Sequence, residues 1–182
     1  MLTVITRLEL GGAQRVVLHT AAQLDRRDFQ AALAWGPGDI LDSEAGEIAD
    51  LARFEIDDLV RPVAPVSDLR ALLELRRVIR GFGPQVVHTH SSKAGILGRL
   101  AARLEKVPVV VHTVHGFGFT PLQKPLVRQL FFRAEKLAAR WTDHFVAVSQ
   151  VNLDRGVDLG LWSRDQASVI RARIPMERFR AP

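Results

Sequence analysis

Residues 86–119, VVHTHSSKAGILGRLAARLEKVPVVVHTVHGFGF, switch hydrophobic spacing twice within one short stretch. Residues 85–88 are a short apolar run that passes into polar residues. Residues 93–104 repeat apolar side chains at helical spacing, at Ile96, Leu97, Leu100, Ala101 and Leu104. Residues 107–111 are a β-branched run broken only by Pro108, too short for a helix. Such runs suit a parallel strand buried on both faces. The stretch therefore reads as strand, turn, helix, strand, turn, with its polar residues just past the two strand ends. In open parallel sheets ligands bind at that edge. His90, Ser91, Ser92 and Lys93 are thus expected beside His112, His115 and Gly116.

The rest of the chain extends this alternation. Residues 2–5 read as a first strand, and a loop with Gly11-Gly12 leads to a helix face of Val16, Val17, Ala21 and Leu24 that reaches to about residue 25. Residues 29–35 read as a second strand, closed by Gly36-Pro37-Gly38. Residues 40–51 look helical though loosely patterned, and 53–56 make a poor third strand at an edge. Residues 59–65 hold two prolines and read as extended. Ser67-Asp68 is the expected cap of a helix with Leu69, Leu72, Leu73, Val78 and Ile79 inward, ended by Gly81-Phe82-Gly83-Pro84. After residue 119, a long helix is expected over 125–141, with Leu126, Leu130, Phe131, Ala134, Leu137 and Ala138 on its apolar face. Residues 145–148, 151–159 and 167–170 add a strand, a short helix and a last strand. The alternation argues for an α/β fold: a doubly wound, mostly parallel, Rossmann-like sheet with right-handed crossovers. Residues 1–172 form the expected domain, and 173–182 read as a linker.

The 182 residues contain no cysteine, which excludes disulfides and thiolate metal sites. No apolar run approaches the roughly 20 residues of a membrane span. The first residues, MLTVITRLELGG, lack the basic start and long apolar region of a signal peptide, so a cytoplasmic protein is expected. The net charge of +5 is unevenly spread. Residues 1–60 hold five arginines against eleven carboxylates, a balance of −6, and the remainder holds twenty Lys/Arg against nine, a balance of +11. A basic half suits an anionic partner, such as nucleic acid, a phosphate-rich ligand or anionic lipid, or else it only keeps helix faces soluble.

Three groups of residues could carry chemistry. Gly11 and Gly12 stand between a first strand and a first helix, where free N–H groups and the positive helix end favour a phosphate. The alternative there is a tight turn that needs positive φ. Four of the six histidines fall in the central stretch. His88 and His90 are two apart and share a face if the strand continues through them. With His112 and His115 they could suggest a metal hydrolase. A metal site needs three or four ligands, however, and no carboxylate lies between Glu74 and Glu105. His88 reads better as a core histidine bonded at a strand end. His115 lies between a buried strand and Gly116-Phe117-Gly118, a place open to a ligand, where an imidazole can handle a proton near neutrality. Lys93 opens a helix, where a cation is unfavourable unless an anion sits beside it.

Taken together, ITRLELGGAQ at 5–14, VVHTHSSKAGILGRLAAR at 86–103, VPVVVHTVHGFGF at 107–119, Glu135 with Thr142-Asp143, VAVSQ at 146–150 and the closing VIRARIPMERF resemble one family. That family is the family 4 glycosyltransferases of the GT-B fold, in particular the N-terminal domain of the bacterial enzymes of surface-polysaccharide synthesis. The resemblance covers nearly the whole chain. It implies a retaining transfer from a nucleotide-diphosphate sugar to a lipid-linked glycan acceptor, with no metal and no nucleic acid. Gly11 and Gly12 resemble the loop that lies against the donor diphosphate. His115 resembles the histidine at the donor sugar and is the expected catalytic residue. His90, Ser91, Lys93, Gly116 and Ser149 fall where this half faces the cleft and the acceptor. The resemblance also implies a second, donor-binding domain that the 182 residues do not contain. The chain is therefore expected to be inactive alone, as part of a truncated or split enzyme. It is expected to work at the inner face of the membrane, with its arginine-rich helix faces against anionic lipid. The rival reading is a non-catalytic module that binds an anionic glycan or phosphate.

Overall fold

The computed structural model describes residues 1–119 and 123–172. The strands are β1 (Leu2–Arg7), β2 (Ala31–Gly36), β3 (Leu51–Glu55), β4 (Val86–His90), β5 (Val109–Val114), β6 (His144–Ala147) and β7 (Ala167–Val169). The helices are α1 (Gly12–Gln23), α2 (Asp42–Glu47), α3 (Pro65–Phe82), α4 (Ser92–Leu104), α5 (Pro125–Ala139) and α6 (Gln150–Asp158). One seven-stranded sheet has the order β3-β2-β1-β4-β5-β6-β7, and every pairing is parallel. The strand order reverses between β1 and β4. All strands point the same way, so the loops after β1, β4 and β5 meet at one edge, beside that reversal.

Alternation along each strand divides the core. Leu2, Val4, Ala34, Val87 and Val110 face α3 and α4, against Ala71, Leu75, Ile79, Ala94 and Ala101. Ile5, Leu33 and Trp35 point the other way, against Val17, Leu18 and Ala21 of α1 and Ala45 of α2. At the far end Val114, Phe145 and Trp162 pack with Phe131, Phe132 and Ala139 of α5 and Val157 of α6. The expected doubly wound, Rossmann-like sheet is the observed one, and β3 is an edge strand.

Several helix faces differ from expectation. Helix α3 begins at Pro65 rather than at Ser67-Asp68. Proline at the first position has its φ already set and lacks only an N–H that would have no helical partner. Asp68 then accepts from the Ala64 N–H at 3.2 Å, capping from inside the helix. The buried face of α3 is Ala71, Leu75 and Ile79, a four-residue repeat, while Leu69 and Leu73 are exposed. Helix α4 likewise buries Ala94, Gly95, Gly98, Ala101 and Ala102, and leaves Leu104 exposed. It lies so close to the sheet that a Cβ on Gly95 would stand 2.6 Å from the His112 ring, and one on Gly98 2.8 Å from Thr89 Cγ2. Small residues set the packing here, and the larger apolar ones flank it. Helix α5 leaves Leu126 83% and Leu130 61% exposed, with Leu137 also outward, and buries Glu135 instead. Periodicity shows that residues share a face but not what covers that face. Of the helix expected over 40–51, only α2 forms, because Leu51 already pairs in β3. The expected linker, 173–182, lies outside the described residues.

Candidate functional site at the strand-order reversal

A cavity of about 550 Å³ opens where the ends of β1, β4 and β5 meet. Its walls include Thr6 and Arg7 from β1, Ser91 to Lys93 after β4, and Thr113 to Gly116 at and beyond the end of β5. The sequence placed the segments after β4 and β5 together, and the parallel register His90↔Thr113 is what aligns them, while β1 joins them as the neighbour of β4.

Ser91 turns the chain from β4 into α4 with φ 61 and ψ 162. That backbone region is almost reserved for glycine and costs a side chain about 1–3 kcal/mol. Hydrogen bonds hold it there. Ser91 Oγ accepts from the Thr6 N–H at 3.2 Å and lies 2.7 Å from Thr6 Oγ1. Thr6 Oγ1 in turn accepts from the Ala94 N–H at 3.1 Å, so β1 caps α4. On the far side, a Cβ on Gly118 would fall 2.1 Å from Ser92 Oγ. The loop after β5 can touch the start of α4 only with glycine at that position.

The four central histidines are all engaged. His88 Nε2 lies 2.7 Å from Thr113 Oγ1, the strand-end bond expected of a core histidine. Burial and then the nearby His115 push its pKa down to about 4. His112 Nδ1 lies 2.9 Å from Thr89 Oγ1, and burial first, then the Arg99 charge, holds it neutral. His90 Nδ1 lies 3.0 Å from His115 Nε2. His115 itself is half-buried in the cavity wall, and burial lowers its pKa. Among the described residues no group of three or more histidines and carboxylates could hold a metal ion.

His90 differs from expectation. At 2% exposure it backs the wall behind His115 rather than lining the cavity, because its position in the strand points the ring across β5. Lys93 does reach the rim, and its anion is internal: Asp68 of α3 pairs with it at 2.5 Å, and the Pro62 carbonyl accepts from it as well. Ser149 caps α6, accepting from the Asn152 N–H at 3.2 Å, and stands outside the cavity. Gly116 lines it. Gly11 and Gly12 do not, although Gln14 in the first turn of α1 does. Gly11 is extended at φ −166 and Gly12 has no positive φ, so the turn reading is not needed. Helix α1 begins without a side-chain cap.

Sequence reasoning missed a buried polar cluster in the cavity floor. Arg99 of α4 is fully buried and donates to Glu135 Oε1 at 2.6 Å, Thr142 Oγ1 at 3.3 Å and the Gly95 carbonyl at 2.7 Å. Burial lowers the Arg99 pKa, and Glu135 pulls it back. Glu135 lines the cavity 4.0 Å from His112 Nε2. The available signal was Gly95, Gly98 and Arg99 in one helix, which puts an arginine four residues on along a glycine face.

Charge is balanced around this cavity. Arg7 pairs with Asp39, Arg61 with Glu9, Lys93 with Asp68 and Arg99 with Glu135. The excess of cations lies elsewhere. On α3, Arg76 and Arg80 converge on Glu105. On α5, none of Lys124, Arg128, Arg133, Lys136 and Arg140 pairs with a carboxylate among the described residues. No helix among the described residues is long and apolar enough to cross a membrane.

Comparison with known proteins adds the family. The model of Glycosyltransferase Family 4 matches residues 10–175. The chain is 32% identical over 177 residues to UDP-Gal:alpha-D-GlcNAc-diphosphoundecaprenol alpha-1,3-galactosyltransferase of Escherichia coli, a match that covers 93% of this chain and 43% of that protein. Among solved structures, a glycosyltransferase of Rickettsia africae superposes with a TM-score of 0.75 at 17% identity, over 98% of this chain and 44% of the other. UDP-GlcNAc 2-epimerase of Neisseria meningitidis superposes with a TM-score of 0.67 at 17% identity, over 92% of this chain and 45% of the other. At such identities the structural likeness shows the fold alone, shared by transferases and epimerases. The chain spans less than half the length of these relatives. It belongs to glycosyltransferase family 4 and has the Rossmann-like fold of the N-terminal domain of a GT-B enzyme.

Proposed function

We propose that this domain is the acceptor-side half of a retaining glycosyltransferase of surface-polysaccharide synthesis. In the reaction, the bond from the sugar C1 to the nucleotide diphosphate breaks, an acceptor hydroxyl oxygen bonds to C1 with configuration retained, and the hydroxyl proton passes to the departing diphosphate or to water. The observation that carries the reading is the cavity at the strand-order reversal, with His115 in its wall and every charged side chain already paired. Walls of that kind suit a neutral, hydroxyl-rich ligand such as a sugar. The diphosphate then lies toward the uncapped start of α1, where the N–H groups near Gly11 and Gly12 and the helix dipole stabilise the leaving charge without a metal. Ser91, Lys93 and Gly116 border the acceptor, and Ser149 holds the neighbouring turn in place. The second half of the cleft, which binds most of the donor, comes from a further domain or a partner chain.

The test is transfer of labelled sugar from a nucleotide-diphosphate sugar to a lipid-linked acceptor. We expect no robust transfer by the 182-residue chain alone. Supplied with a donor-binding domain, it should be active and insensitive to chelators. There His115→Ala should lower kcat by about 10²–10⁴-fold with the melting temperature kept. Robust transfer by the chain alone would overturn the half-enzyme reading, and an unchanged rate would remove His115 from the reacting centre.

The same reading places the protein in the cytoplasm, against the inner leaflet. Helix α5 is the contact, since it exposes Leu126 and Leu130 beside cations that pair with no carboxylate among the described residues. Each cation held near an anionic surface contributes about 1 kcal/mol. Cosedimentation with liposomes should need anionic lipid, weaken with salt, and fall when Arg128, Arg133, Lys136 and Arg140 become glutamine together. Equal binding to neutral liposomes would rule this face out.

A further inference from the structure

His90 is buried, touches no part of the cavity, and still points a ring nitrogen at the residue that does. Its Nδ1 lies 3.0 Å from Nε2 of His115, with ring centroids 5.3 Å apart and planes tilted by 31°. His88 also packs against it, with ring centroids 4.3 Å apart and planes tilted by 41°, and is fixed by Thr113 Oγ1. His90 therefore has little freedom to turn.

A short contact between two imidazole nitrogens needs one proton between them, since two lone pairs repel and two N–H groups clash. Both rings stay neutral, because burial lowers both pKa values. Two arrangements remain. In the first, His90 Nδ1–H donates to His115 Nε2, and the His115 proton then sits on Nδ1. In the second, His115 Nε2–H donates to His90, whose own proton moves to its Nε2. Among the described residues neither His90 Nε2 nor His115 Nδ1 has a hydrogen-bond partner. The second arrangement would leave an N–H unpaired in the nearly closed site of His90. The first leaves only a bare nitrogen there, so that every N–H of the pair either has an acceptor or belongs to the ring at the cavity. It also puts the free N–H on His115, the half-buried ring in the cavity wall.

We propose that His90 is a positioning residue that fixes the tautomer of His115, so that His115 meets its ligand through Nδ1–H as a neutral hydrogen-bond donor. The ligand atom it fits is a hydroxyl or other neutral oxygen with a lone pair. This deepens the proposed function and rests on His115 facing a sugar. The proton on Nδ1 can be measured whether or not transfer is ever seen, so the two ideas fail separately.

The test is long-range ¹H–¹⁵N correlation of the histidine rings in this chain, labelled with ¹⁵N-histidine, at pH 7.5. Single-site variants assign the signals. We expect His115 Nδ1 to be pyrrole-like and Nε2 pyridine-like in the wild type. In His90→Phe, which keeps a ring but removes the donor, the His115 proton should move to Nε2, the tautomer free histidine prefers. In His90→Asn, whose amide N–H stands near the place of Nδ1–H, the wild-type tautomer should return. A wild-type His115 protonated on Nε2 overturns the proposal, and that reading needs no variant to fold. So does a folded His90→Phe protein in which the His115 pattern is unchanged.

Discussion

The two halves of the sheet share one geometry and have opposite interiors. Around β3, β2 and β1 the core is apolar on both faces, with leucine, valine, alanine and Trp35 against α1, α2 and α3. Around β4 and β5 the buried residues include Thr89, His90, Arg99, His112, Thr113, Glu135 and Thr142. In the first half only Thr3 and Thr6 of β1 are buried and polar. A buried polar group is tolerated when it is hydrogen-bonded, and here Thr89 meets His112, His90 meets His115, and Arg99 meets Glu135 and Thr142. The contrast teaches that the first half serves as a support, while the second gives up apolar burial to hold shaped polar groups, neutral or ion-paired, under a cavity.

Acid should expose this difference most strongly. His88, His90 and His112 are all held neutral by burial, His88 down to about 4. In the unfolded chain each takes up a proton near 6.5. Between that value and the folded pKa the unfolded state binds more protons, so stability falls as pH falls. Each such imidazole contributes a slope of up to about 1.4 kcal/mol per pH unit. Urea unfolding at intervals from pH 7.5 to 5 should show a midpoint that drops steadily on acidification, and His88→Gln should make the drop shallower. A midpoint independent of pH across that range would show that these rings are not held neutral.

Next in size is the buried ion pair. Arg99→Met leaves Glu135 beside an apolar side chain with a carboxylate it can no longer pair, which should cost about 3–5 kcal/mol. The double variant Arg99→Met with Glu135→Leu should recover much of that loss, since apolar replacement of a whole buried pair is often neutral. If the double variant is as unstable as the single one, the polar interior of this half is needed for folding as well as for the site. Chemical denaturation of the three proteins decides.

Much of this architecture was legible in the sequence. The strands were, because a parallel strand buried on both faces leaves a short apolar run that little else produces. The meeting of 90–93 with 112–116 followed from strand direction alone. Helix faces were harder. In α4 the eye goes to Ile96, Leu97 and Leu100, while the sheet touches Gly95 and Gly98, and only the distance between helix and sheet decides. The Arg99–Glu135 pair was hidden for a related reason: its partners lie 36 residues apart, and each alone looks like an ordinary surface charge. His90 was expected just past the end of its strand and facing the cleft, yet it is the last residue of β4, and whether a ring lines a cavity or backs it depends on the neighbour in front.

The smallest effect on stability is expected at the rim, where the support half meets the cavity. Gly12 opens α1, is exposed, and a Cβ added there would meet nothing within 4 Å. Gly36, at the end of β2, is the opposite case, since a Cβ there would fall 2.1 Å from the Leu59 carbonyl oxygen, in backbone that cannot give way. Fold packing therefore explains Gly36 and leaves Gly12 unexplained. Gly12→Ala should change stability by no more than about 0.5 kcal/mol, the usual range for a surface position. If the N–H groups at the start of α1 approach the donor diphosphate, the added methyl lies in their path. The nucleotide-diphosphate sugar should then bind about tenfold more weakly to the protein that carries its donor-binding domain. Melting curves and a donor titration on the same variant separate the two roles. A destabilised Gly12→Ala would make this glycine part of the support, and unchanged donor affinity in a stable variant would move the diphosphate away from α1.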